Sequence, residues 1–61
     1  MNTEFEVKNI IRGGATNEQK AEQICNITTF SKKKVIKCLN KSGETASDIY
    51  WNMVMEHKNG I

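Results

Sequence analysis

Glycine is the main punctuation in this sequence, which has no proline, and Gly13-Gly14 and Gly43 cut its 61 residues into thirds. A chain of this length can bury only about 60% of the surface that its unfolded form exposes. The expectation is one domain, residues 1–61, with a small core and modest stability.

Within those limits the apolar spacing reads as short helices. In TEFEVKNIIRGG, Val7, Ile10 and Ile11 recur at i, i+3 and i+4, with Phe5 close to the same face, so a first helix is expected to end at the glycines. Thr16-Asn17-Glu18-Gln19 has the pattern of a capping box and starts a second helix, whose apolar side carries Ala21, Ile24, Cys25 and Thr28. Thr29-Phe30 breaks it. Ser31 is placed to cap a third helix running to about Lys41, with Val35, Cys38 and Leu39 on one side and Lys33, Lys37 and Asn40 on the other. Two short helices joined by a turn of three or four residues, the second apolar inside and basic outside, form a helix-turn-helix arrangement.

The last third allows two readings. Thr45 or Ser47 could cap a fourth helix that closes before Gly60, but Ile49, Trp51, Met53 and Met55 also alternate with Tyr50, Asn52, Val54 and Glu56 in a stretch rich in strand-favouring residues. The strand is preferred. The expected fold class is therefore α+β: a three-helix helix-turn-helix core with a short, truncated wing and a C-terminal strand. The alternative is an all-α chain with a fourth C-terminal helix. Trp51, Tyr50, Phe30, Met53 and Met55 are expected in the core, although an exposed methionine row would mark a dimer face.

Charge is unevenly distributed. Ser31 to Gly43 holds five lysines and no acid, while the remainder holds four basic and seven acidic residues, giving +5 against −3. Such a one-sided patch on an otherwise acidic chain favours a polyanionic partner. Three of the lysines, Lys32, Lys33 and Lys34, stand in the first turn of the third helix, where the helix dipole disfavours cations by roughly 0.3–1 kcal/mol for an exposed residue. An approaching phosphate would relieve that conflict, because helix N-terminal amides also point toward it.

No stretch is apolar enough to span a membrane, and MNTEFE lacks the basic start and apolar run of a secretory signal, so a cytoplasmic protein is expected. Cys25 and Cys38 are expected to be free thiols. With one histidine and no paired-cysteine motif, no metal, cofactor or catalytic set is expected, and the chain is not read as an enzyme.

These residues resemble a winged-helix or helix-turn-helix DNA-binding domain. In QICNITTFSKKKVIKCL the pair Ile24-Cys25 ends the second helix, Phe30 is the apolar turn residue, Ser31 the cap, and Val35 and Leu39 the anchors. NIIRGGATNEQ is similar to the first helix and the start of the second, and IYWNM to the aromatic strand after the wing in small regulators. The resemblance departs at Thr29, where glycine is frequent, and in the shortness of the segment from Gly43 to Ile49. The narrower Z-DNA-binding group is set aside because its Asn and Tyr pair on the third helix is matched by Ile36 and Asn40.

The resemblance implies a small bacterial or phage DNA-binding transcription regulator or accessory protein, its third helix in the major groove of double-stranded DNA. The candidate contacts are Ser31, Lys32, Lys33, Lys34, Lys37, Asn40 and Lys41. Lysine supplies point charges to phosphates, and Asn40 alone has the geometry for an adenine edge. A homodimer or a protein partner is the further expectation, and a protein-interaction module of the same fold is the alternative function.

Overall fold

The computed structural model describes residues 2–41 and 43–59. Four helices follow one another: α1 (Thr3–Arg12), α2 (Asn17–Ile27), α3 (Lys32–Leu39) and α4 (Ala46–Asn59). Each packs mainly on its two neighbours, α1 on α2, α2 on α3, α3 on α4, and the ring closes where α4 returns to α1.

Local capping explains most of the boundaries. The Asn2 side chain accepts the Phe5 amide at 3.2 Å to start α1. The capping box of α2 forms as the sequence predicts, with the Thr16 hydroxyl accepting the Gln19 amide at 3.1 Å and the Gln19 side chain accepting the Thr16 amide at 3.2 Å. Thr45 Oγ1 accepts the Asp48 amide at 3.2 Å and so starts α4. Gly43, in the connection before it, has φ +77°, a left-handed conformation that favours glycine.

The core draws on all four helices: Val7 and Ile11 from α1, Ala21 and Ile24 from α2, Val35, Cys38 and Leu39 from α3, and Ile49 and Met53 from α4. Ile10, Cys25, Ile27, Phe30, Ile36, Ala46 and Tyr50 pack around it, partly buried.

The expected α+β class is overturned. Residues 46–59 are helical, and no strand occurs among the described residues, so the C-terminal strand and truncated wing are replaced by α4 and the all-α alternative stands. The physical reason lies in burial and backbone pairing. Ile49 and Met53, one helical turn apart, enter the core, whereas Trp51 and Met55 are 52% and 55% exposed, a helical rather than alternating pattern. A lone strand would need a neighbour for its amides and carbonyls, while a helix satisfies its own. Strand propensity in Ile49, Tyr50, Trp51 and Val54 is outweighed by that packing.

Trp51 and Met55 leave the core to which they were expected to belong, and Phe5 leaves the apolar face it was expected to lie close to. Phe5, at 59% exposure, projects from α1 on the side away from Val7 and Ile11, and Trp51 and Met55 project from the outer side of α4. His57, by contrast, is half-buried against Phe30, with ring centroids 5.3 Å apart.

Candidate nucleic-acid interface

The connection from α2 to α3, Thr28 to Ser31, is made without any left-handed residue. Thr28 is extended at φ −138°, ψ 174°, and its hydroxyl donates to Ile24 O at 2.8 Å while accepting the Phe30 amide at 3.3 Å. Cys25 Sγ donates to Phe30 O at 3.3 Å. Side-chain hydrogen bonds thus make the turn that glycine commonly makes, and Thr29 carries no strain from a positive φ.

Ser31 occupies the N-cap position of α3, but its side chain makes no capping hydrogen bond. The first intrahelical bond runs from the Val35 amide to Ser31 O at 2.9 Å, so the amides of Lys32, Lys33 and Lys34 lie in the turn that lacks intrahelical acceptors. No acidic residue stands in that turn. α3 ends at Leu39, with Asn40 as its C-cap, two residues short of the expected limit at Lys41.

The five lysines divide into two groups. Lys34, half-buried, donates its ammonium to Glu56 O at 3.1 Å, one of the last four carbonyls of α4. Lys37 pairs with the Glu56 carboxylate, Nζ to Oε1 3.3 Å, with its own side chain 67% exposed, so water and salt screen the pair. These two lysines join α3 to α4. Lys32, Lys33 and Lys41 are exposed and make no hydrogen bond or ion pair among the described residues. Lys33 and Lys37, one turn apart on α3, are both exposed, and exposed Lys41 follows just past the C-cap.

Asn40 is occupied differently from the expectation of a base-reading residue. Its Oδ1 accepts from Asn17 Nδ2 at 3.0 Å, and the same Asn17 group reaches Leu39 O at 3.4 Å, tying the start of α2 to the end of α3. Bidentate pairing with adenine needs both the oxygen and the nitrogen of the amide. The oxygen already accepts one bond from Asn17, so turning the amide to a base edge competes with the α2–α3 tie.

No protein family, curated protein or solved structure matches this chain.

The neighbouring cysteines are free and do not add a reactive centre to the lysine face. Burial raises the Cys25 thiol above its ordinary pKa, with Lys32 pulling the other way. Burial raises Cys38 too, helped by the Glu56 carboxylate and opposed by Lys41 and Lys37. Both thiols are therefore kept in the protonated, unreactive form at neutral pH. No helix among the described residues is long and apolar enough to cross a membrane.

Sequence reasoning missed the contribution of Glu56, which binds both Lys34 and Lys37 across 22 and 19 positions. No local pattern could have found it. Lys20 has a similar duty, donating to Ile11 O at 2.8 Å and so satisfying the end of α1.

Proposed function

We propose that this protein binds double-stranded DNA through α3 and the residues just past it, chiefly by contacts from Lys32, Lys33, Lys37 and Lys41 to backbone phosphates. The observation that carries the reading is the exposed Lys32, Lys33 and Lys37 on a helix without a carboxylate, with exposed Lys41 just past its C-cap, in a chain whose remaining residues are net acidic. The uncapped first turn of α3 adds amide donors beside Lys32 and Lys33.

Half-buried Lys34 is assigned to the α3–α4 junction and Asn40 to the α2–α3 junction, so neither is counted among the principal contacts, whereas Lys37, 67% exposed in its screened pair with Glu56, is. With no arginine or glutamine on α3 and with Asn40 engaged, a single chain has little means of reading bases. Binding should consequently be of the sequence-independent kind, with Kd on the order of 10⁻⁴–10⁻⁶ M at physiological salt. Three or four phosphate contacts give a slope of log affinity against log salt of roughly −3 to −4.

The test is an amide-shift titration by NMR with random duplex DNA at two salt concentrations. Shifts confined to residues 31–41 and their immediate neighbours, weakening steeply with salt, are expected. If residues 31–41 stay silent, the DNA reading fails and the protein-interaction alternative takes its place.

A further inference from the structure

We propose that the outer face of α4 is a self-association surface on which two copies of this chain pair antiparallel, Trp51 of each against Met55 of the other. The inner face of this helix is spent on the core through Ile49 and Met53, yet Trp51 and Met55 stand one helical turn apart on the opposite side, more than half exposed. Large exposed apolar side chains in adjoining positions mark contact surfaces more often than isolated ones do.

The arrangement of charge around this pair indicates which partner covers it. Asp48 and Lys58 are exposed and lie on the same side of α4. Residues 48, 51, 55 and 58 are spaced three, four and three apart, the seam spacing of paired helices, with the apolar pair in the middle and opposite charges at the two ends.

In a two-fold pair of antiparallel helices, residue i of one copy meets the residue equally far on the other side of the axis. With the axis at the level of Met53, Trp51 meets Met55 and, in the same register, Asp48 meets Lys58. Each contact occurs twice. A parallel pairing in register would instead set Asp48 against Asp48 and Lys58 against Lys58. The seam is therefore complementary to itself in one orientation only, and antiparallel pairing also sets the positive end of each helix dipole beside the negative end of the other.

A single helix of 14 residues, about 21 Å long, provides a contact at the small end of the range for specific interfaces. The association is accordingly weak, with a dissociation constant on the order of 10–1,000 µM. The proposal is independent of the nucleic-acid reading, and its test contains no DNA.

The test is sedimentation equilibrium of the full chain from about 10 µM to about 1 mM, with Trp51 emission followed over the same series. A reversible monomer–dimer equilibrium is expected, with emission shifting to the blue as Trp51 is covered. Asp48→Lys and Lys58→Asp, both at exposed positions, should each weaken the homodimer roughly tenfold, because like charges then face one another twice. Mixing the two variants should restore association, since every charged contact in the mixed pair is again between opposite signs. Trp51→Ser should abolish dimer formation, and mixing should not rescue it. A chain that stays monomeric at 1 mM overturns the proposal and leaves this face to a different protein. A dimer that survives Trp51→Ser, or charge variants that mixing does not rescue, overturns the stated register.

Discussion

Lys33 reaches solvent while Lys34 holds the end of α4, so substitutions at these adjacent positions should separate binding from stability. Lys33→Gln removes a cation from a disfavoured position and should leave thermal stability unchanged or slightly raised, while the salt slope of DNA binding becomes shallower by about one unit. Lys34→Gln should instead cost about 0.5–1.5 kcal/mol through loss of its bond to Glu56 O, with little change in the salt slope. Paired urea melts and salt titrations check both. Asn40→Ala should cost less stability than Lys34→Gln, since the half-buried Asn17 amide loses the shorter of its two acceptors and keeps Leu39 O, and it should leave the salt slope unchanged because no counterion-releasing charge is removed. A collapse of sequence preference without loss of stability would return Asn40 to the role of base reader. The cysteines make a pH prediction. Their folded pKa values are raised, so the folded state holds its thiol protons longer than the unfolded state. Their contribution to stability is present below the unfolded thiol pKa and is lost as pH rises through the folded values. Denaturant melts from pH 7 to 10 should show a decline that is smaller in Cys38→Ala.

At the scale of the element, α4 shows how burial overrules local preference. Its two rows differ in consequence: Met53 is 2% exposed and Trp51 is 52% exposed. Met53→Ala should cost about 2–5 kcal/mol, whereas Trp51→Ser should leave the monomer nearly as stable as before. A strand with an alternating pattern would make both substitutions costly, so circular dichroism melts of the two variants test the helix directly. On α3, Val35 and Leu39 face the core as the sequence spacing implies. A chain of this length has total stability of about 3–9 kcal/mol, and Leu39→Asp, which buries an unpaired charge, should unfold it. A native-like melting curve for that variant would place the helix face elsewhere.

For the whole molecule, the closed order of contacts means that no three helices complete the core. Removing residues 44–61 takes away Ile49, Met53 and Glu56, uncovering the partners of α1 and α3 together. A chain of residues 1–43 should show no cooperative thermal transition by circular dichroism, which distinguishes this closed bundle from a helix-turn-helix core that stands alone. The sequence by itself determined the first three helices, because their caps, glycine breaks and i, i+3, i+4 spacing act within a few residues. Thr16 with Gln19, Gly13, and the Val35, Cys38 and Leu39 stripe are all signals of that range. It also determined that positive charge would gather on and just after α3, since four lysines stand in that helix and Lys41 follows it, without an acid. Only the tertiary structure decided that residues 46–59 form a helix, for their local preferences point both ways and the choice is made by Ile49 and Met53 meeting the other three helices. The duties of the charged and amide side chains were settled at the same level. Glu56 reaches Lys34 and Lys37, and Asn17 reaches Asn40, across about twenty positions. Contacts that distant leave no periodic signature in the chain, because they depend on how the helices lie against one another rather than on the spacing within any of them.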